Sequence, residues 1–181
     1  MSAQENVMVG NGNQRKAGFF HEFIQTLFKM LHPGDFYEEW ACRDGDASPL
    51  VFLFLCSILF AIPSSIFVVE KRTVFALMFF LNAFCMPFIA AFALYVVTFL
   101  FGKNAFSYNK LFGITAYANV TLLISWIPGL AGPSEILKFF LIGLGMVKVG
   151  RISRLKSLMC LVAAAALLIL LVYCVQPVWC E

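Results

Sequence analysis

The sequence predicts an all-α integral membrane protein with five transmembrane helices, preceded by an amphipathic helix at the membrane interface. Two observations predict this class. First, 61% of the 181 residues are hydrophobic and only 13% are charged, against about 25% charged residues in a soluble domain. Second, five apolar stretches divided by polar loops approach the roughly 20 residues that cross a bilayer core. Such a surplus of apolar surface must face lipid or a partner.

The residues before the first apolar stretch divide into two predicted parts. Residues 1–17 are polar, so we expect a disordered cytoplasmic tail. The first 48 residues lack the apolar core of a cleaved signal peptide. Residues 18–48 are predicted to hold cytoplasmic or interfacial helices. In Phe19–Leu31 the apolar residues recur at helical spacing on one face, among them Phe20, Phe23 and Phe28. This helix lies either in the headgroup layer or on the membrane bundle as ordinary packing.

A second short helix is predicted before the membrane. The pair Pro33-Gly34 ends the first helix, and Asp35 is the expected N-cap of a helix that runs to about Trp40. The membrane domain then covers residues 49–176, and residues 177–181 form a short non-cytoplasmic tail.

Each apolar stretch is expected to form one helix across the bilayer. The second is long enough to cross with a tilt or a kink, and Pro87 is the expected kink point. The fourth is the shortest. It either spans, with Lys138 and Lys148 reaching toward the headgroups, or forms a re-entrant or interfacial segment. The five stretches are Leu50–Val69, Val74–Phe101, Leu111–Leu130, Ile136–Val147 and Leu158–Val175.

The placement of Lys and Arg predicts the orientation. With five spans and a cytoplasmic N-terminus, the cytoplasmic side holds ten of the 13 Lys and Arg residues. The opposite side holds only Lys71, Arg72 and Lys138. We therefore expect a multi-pass protein whose N-terminus is cytoplasmic and whose C-terminus is not.

The apolar stretches carry almost no reactive chemistry. Four contain no Asp, Glu, Lys, Arg or His, and the fourth contains only Lys138. Ion-coupled transporters keep such groups at membrane depth, so an active pump is disfavoured. We also expect no enzyme activity, cofactor, metal site or nucleic-acid partner. The polar residues of the stretches either form hydrogen bonds between helices, worth roughly 0.6–2 kcal/mol each, or line a path for a substrate. The candidates for such a path are Asn82, Asn119 and Ser125.

A basic loop precedes the fifth stretch and contains no acidic residue. Basic residues at a cytoplasmic membrane edge attract anionic lipid by about 1 kcal/mol each. The alternative is that these residues only determine the orientation of the chain in the membrane. With Phe20, Phe23 and Phe28, this loop forms the predicted surface for lipid or a protein partner. Its basic residues are Lys148, Arg151, Arg154 and Lys156.

Two further features predict close contacts. Gly143 and Gly145 give the fourth stretch a small face, which we expect to pack on the Ala163–Ala166 run of the fifth stretch or across an oligomer contact. Cys174 and Cys180 both fall on the predicted non-cytoplasmic side, where disulfides persist. We hypothesise a disulfide between them, which two freely alkylated thiols would contradict.

The arrangement of several short motifs resembles the Yip (Ypt-interacting protein) domain family over about residues 20–175. A turn containing Pro33 precedes the first span, and a loop leads into a third span that ends at Ile127-Pro128. A Gly-Leu-Gly segment then precedes a basic turn and the last span. The motifs are His32-Pro33-Gly34-Asp35-Phe36, Gly102-Lys103, Ser107, Lys110-Leu111-Phe112, Ala116-Tyr117-Ala118, Gly143-Leu144-Gly145 and Val147-Lys148-Val149.

The resemblance implies five spans and a cytoplasmic N-terminus. Eukaryotic members are associated with Rab-type GTPases and vesicle traffic, and their long tails carry an Asp-Leu-Tyr-Gly-Pro-like motif. This chain has only Asp35-Phe36-Tyr37-Glu38-Glu39 there, and its short tail is similar to that of bacterial members. GTPase binding is therefore not carried over, and a bacterial inner membrane is the expected location.

The resulting expectation is a non-enzymatic membrane-organising or adaptor protein. It would self-associate as a homo-oligomer and bind membrane lipid or an unidentified protein partner at its cytoplasmic face. The alternative is a passive channel, permease component or lipid translocator formed by an oligomer.

Overall fold

The computed structural model of the chain describes residues 21, 23–41, 48–66, 71–100, 106–127 and 129–175. Nearly all of these residues are helical and none of them lies in a strand, which confirms the all-α class. The predicted disordered tail, residues 1–17, lies outside the described residues. The helices are α1 (residues 23–29), α2 (Pro33–Ala41), α3 (Ser48–Ile66), α4 (Arg72–Leu100), α5 (Tyr108–Ala118), α6 (Leu122–Ser125), α7 (Ala131–Gly150) and α8 (Arg154–Val175).

Two of the described helices are long and apolar enough to cross a bilayer. They are Pro49–Ile66 within α3 and the whole of α4, Arg72–Leu100. An α-helix satisfies its backbone hydrogen bonds internally, so an apolar helix of this length is stable in hydrocarbon. The first two predicted stretches are thus helices of spanning length and composition. Each contains a proline, Pro63 in α3 and Pro87 in α4.

The third stretch is not the uninterrupted helix that the sequence predicts. It begins earlier, at Tyr108, and its α-helical hydrogen bonding is replaced by a 3-10 turn at Asn119–Thr121 before α6 resumes. The chain then turns at residues 126–127. Asn and the β-branched Val120 and Thr121 are weak helix formers. The sequence therefore tolerates a tighter turn at this point.

The last two helices are also longer than their apolar stretches. α7 has 20 residues, which corresponds to a length of about 30 Å. Its glycines face different neighbours. The Ser157 hydroxyl of α8 donates to the Gly143 carbonyl at 2.9 Å, so Gly143 meets α8 at Ser157 and not at the predicted Ala163–Ala166 run. Gly145 instead faces Tyr37 of α2 and Ile114 of α5.

The helices pack into a bundle with α1 and α2 against one end. α4 packs on α3, α5 and α8, while α7 packs on α5, α8 and α2. At this end the Phe23 ring lies 5.2 Å from that of Phe52, near the start of α3. Phe106, just before α5, touches Gly150 at the end of α7. The starts of α3 and α5 and the end of α7 therefore meet at one end of the bundle, which we call the basic end.

The start of α2 differs from the prediction that Asp35 is its N-cap. The helix begins at Pro33, and Asp35 lies in the first turn. Proline suits the first helical position, because the N–H it lacks would have no helical partner there. Asp35 still favours this helix, since its negative charge lies near the positive end of the helix dipole.

Candidate functional site

The basic end is built around the aromatic side chains of α2. Tyr37 is completely buried, and its hydroxyl donates to the Ile114 carbonyl at 3.4 Å. Its ring fits against Gly145, where an added Cβ would come within 3.1 Å of Tyr37 and 2.7 Å of Ile114. Glycine is thus what permits α2 to approach α7 this closely. Burial raises the pKa of the Tyr37 phenol well above its ordinary value.

Tyr117 of α5 is the centre of an aromatic cluster that joins three helices. Ring centroids of Phe36, Trp40 and Phe52 lie 4.9, 5.7 and 5.2 Å from its own. These separations are typical of favourable aromatic pairs. Trp40 also covers Gly113 of α5, where a side chain would collide with the indole. The cluster therefore fixes α2 on the bundle through shape as well as through buried area.

The predicted amphipathic helix divides its apolar residues between two environments. Phe23 is 6% exposed and packs on Phe52, whereas Phe28 is 67% exposed. Leu31 is exposed as well, while Met30 is buried. Phe23 thus serves the packing of α1 on the bundle, and Phe28 and Leu31 form an apolar surface. Phe20, the third predicted aromatic residue, lies outside the described residues.

The basic residues at this end also differ in their environments. Lys148 donates to Glu38 of α2 at 2.6 Å. Arg151, Arg154 and Lys156 are exposed, and within the described ranges no acidic group pairs with them. Arg151 adopts a left-handed conformation, with φ 49°, and ends α7. The turn at 151–153 and the first turn of α8 therefore present positive charge that no acidic group of the described residues neutralises.

A polar contact between α4 and α5 lies deeper in the bundle. Because Pro87 has no N–H, the carbonyl of Ala83 loses its helical donor. The Asn119 amide nitrogen donates to this carbonyl at 3.5 Å, and the Thr115 hydroxyl lies 3.3 Å from the Pro87 carbonyl. Asn119 is completely buried. Its side chain therefore repairs the backbone of a neighbouring helix, as proline-containing membrane helices require.

The three predicted path residues do not share one environment. Asn82 is exposed on α4, Asn119 is buried between α4 and α5, and the half-buried Ser125 donates to the Leu122 carbonyl of its own helix at 3.1 Å. Of the predicted disulfide, Cys180 and the side chain of Cys174 lie outside the described residues.

The sequence prediction missed Tyr37, Trp40 and Tyr117 as anchors of the site. The signal for α2 was present, because Phe36, Tyr37 and Trp40 are spaced to share one side of a helix. Their partners in α5 and α7 are distant in sequence. No local pattern indicates those contacts.

The described part of the chain is all-helical, and two of its helices have the length and composition of membrane spans. A family model described as the Yip1 domain matches residues 28–175. The chain therefore belongs to the Yip1 domain family, and the resemblance predicted from its motifs is confirmed. The match begins in α1 and includes α2, the aromatic cluster and the basic turn. Searches of curated proteins and of solved structures found no match.

Proposed function

We propose that the chain crosses the bilayer five times and acts as a non-enzymatic membrane-organising or adaptor protein whose basic end binds anionic lipid. The spans would be α3, α4, α5 with α6, α7 and α8. Consecutive spans alternate in direction, so the starts of the first and third spans and the end of the fourth should lie on one side of the membrane. The starts of α3 and α5 and the end of α7 do meet at one end of the bundle, which supports the proposal. The basic end would face the cytoplasm, by the positive-inside rule. The membrane we propose for the chain is a bacterial inner membrane.

The observation that carries the lipid proposal is the unneutralised charge of the 151–156 segment. Arg151, Arg154 and Lys156 are exposed and have no acidic partner among the described residues. α2 brings Gly34 next to the Lys148 side chain, since a Cβ added at Gly34 would lie 3.9 Å from the Lys148 Cε. The exposed Leu31 and Phe28 precede this point. Positive charge beside exposed apolar side chains is the combination that binds an anionic membrane surface.

Neutralising Arg151 and Arg154 together is expected to weaken binding of phosphatidylglycerol about 10- to 30-fold, because each charge contributes about 1 kcal/mol. Binding of phosphatidylcholine should not change. The measurement is native mass spectrometry of the detergent-extracted chain, titrated with each lipid. The matched control is the pair Lys71→Gln and Arg72→Gln, two exposed basic residues outside the basic end, for which we expect a smaller loss. Equal losses in both variants, or none, would contradict the proposal.

Glu38→Gln is expected to have the opposite effect. Glu38 pairs with Lys148 at 2.6 Å, and removing its charge frees the ammonium group for a lipid phosphate. Phosphatidylglycerol should bind about five-fold more tightly, in line with about 1 kcal/mol for one added charge. Glu135→Gln, which removes an exposed acid from the other end of α7, is the control. Weaker lipid binding in Glu38→Gln would indicate that the ion pair shapes the site, which would contradict a purely electrostatic role.

The passive conduit is the second candidate function. It would require an oligomer in which the Asn82 surface of one copy meets a polar path in another. Flux of ions or labelled lipid through liposomes, lost in Asn82→Leu while the chain stays folded, would favour it. A protein partner at the basic end would instead be indicated if the neutral double variant lost a co-purifying protein and kept its lipid.

A further inference from the structure

The outer surface of α4 carries the side-chain amide of Asn82, at a position where lipid chains offer it no hydrogen-bond partner. Asn82 is exposed and lies about 15 Å along the helix axis from Arg72, the first residue of α4. In a hydrocarbon layer of about 30 Å, this places it well inside the lipid. Within the described part of the chain, no group forms a hydrogen bond with its side chain. An amide in this position is satisfied only by another polar group from outside the copy.

The exposed face of α4, which also includes Val74, Leu77, Leu81 and Met86, contains a seven-residue repeat that runs through Asn82. Exposed side chains recur at alternating intervals of three and four residues. The same spacing continues through the half-buried Val96 to the exposed Phe99. Ala83, Pro87 and Ala91, on the other side of the helix, are buried. The first six positions are Phe75, Met78, Asn82, Cys85, Ile89 and Phe92.

This repeat is the pattern of a left-handed helix pair. Residues spaced by 3.5 on average stay on one seam when two helices coil around each other. In that register Asn82 occupies an a position and Cys85 the following d position. A single Asn at an a position is known to fix the register and the number of helices. The seam is thus mostly apolar, and its one amide, Asn82, can set the register in which two helices pair.

We propose that this face of α4 docks a second copy of the chain, α4 against α4, with Asn82 bonded to the partner's Asn82. Copies inserted with the same topology present identical helices in parallel. A two-fold axis along the membrane normal then places each seam residue opposite itself. An amide both donates and accepts, so two facing Asn side chains satisfy each other. The surface is separate from the basic end, and the proposal does not depend on lipid binding there.

Disulfide crosslinking at Cys85 tests the proposed contact directly. The full chain, with its five other cysteines replaced by alanine, is reconstituted in phosphatidylcholine–phosphatidylglycerol vesicles and oxidised. We expect at least about five-fold more covalent dimer than in the matched control, because a disulfide needs closely spaced Cβ atoms. The control is Leu77→Cys in a Cys85→Ala background, since Leu77 is 58% exposed but lies off the seam. Equal crosslinking at the two positions, or attachment of Cys85 to a different membrane protein, would overturn the proposal.

The dissociation constant of the dimer gives an independent measurement. In Asn82→Leu it should rise about ten-fold, the effect of losing one hydrogen bond of the strength seen between membrane helices. It is measured by energy transfer between labelled copies in the same vesicles. Asn82→Gln, which keeps the amide, and Leu77→Ala should change it less. Because Asn82 contacts lipid in a single copy, these variants should keep the thermal stability of the monomer. An unchanged constant in Asn82→Leu, or a chain that is monomeric throughout, would overturn the proposal.

Discussion

Tyr37→Ala is expected to release α2 from the bundle. The side chain is completely buried, and truncation of a buried aromatic residue costs about 3–5 kcal/mol. The lost contacts hold one short helix, so the cost should appear as local opening of α2 and leave the long helices folded. Hydrogen exchange of the amides in Pro33–Ala41 measures that opening free energy.

Two controls separate the sources of this effect. Phe28→Ala removes an aromatic side chain of similar size that is 67% exposed, and it should change the exchange of α2 by less than about 0.5 kcal/mol. Tyr37→Phe removes only a long hydrogen bond of 3.4 Å, so we expect a loss of about 1 kcal/mol or less. If α2 exchanged at the same rate in Tyr37→Ala as in the unaltered chain, the anchoring role of the ring would be disproved.

Asn119→Ala is expected to destabilise the bundle by about 2–3 kcal/mol, because it leaves the Ala83 carbonyl unpaired in a buried position. The size of the effect should depend on Pro87. In a Pro87→Ala background the backbone N–H at position 87 returns and can bond the Ala83 carbonyl itself. The same Asn119→Ala substitution should then cost about 1 kcal/mol less, a coupling that a double-mutant cycle measures.

The cycle is measured by reversible unfolding in mixed micelles, at a dilution at which the chain is first verified to be monomeric. Asn82→Ala provides the matched control, since Asn82 is an exposed asparagine on the same helix as Pro87 and bonds neither it nor Ala83. It should show no coupling to Pro87→Ala. Equal costs of Asn119→Ala in both backgrounds would mean that the amide does not repair the carbonyl.

The long apolar helices were predictable because their signal is local. α3 and α4 contain long runs of apolar residues. In lipid, the backbone N–H and C=O groups of such a run can form hydrogen bonds only with each other, and a helix allows this. Their ends were less predictable. α7 continues past its strict apolar core to Ala131 and Gly150, and the flanking lysines gave no stop signal.

The remaining features depend on contacts between distant parts of the chain. The close approach of Tyr37 to Gly145 could not be inferred, because a glycine in an apolar stretch predicts a close neighbour without naming it. The 3-10 turn at Asn119–Thr121 follows a site where α5 meets the proline of another helix. Sequence reasoning identified Asn119 as a polar residue in a span, but the carbonyl it serves belongs to α4.

The pairing of α2 with α7 has a consequence for synthesis. Glu38 and Lys148, which form an ion pair, are 110 positions apart in the chain. At a translation rate of roughly 5–20 residues per second, several seconds separate the emergence of the two helices from the ribosome. During that interval Tyr37 and Trp40 have no completed binding surface on the nascent chain. The surface that Gly145 of α7 offers to Tyr37 is therefore completed only after most of the chain has been synthesised.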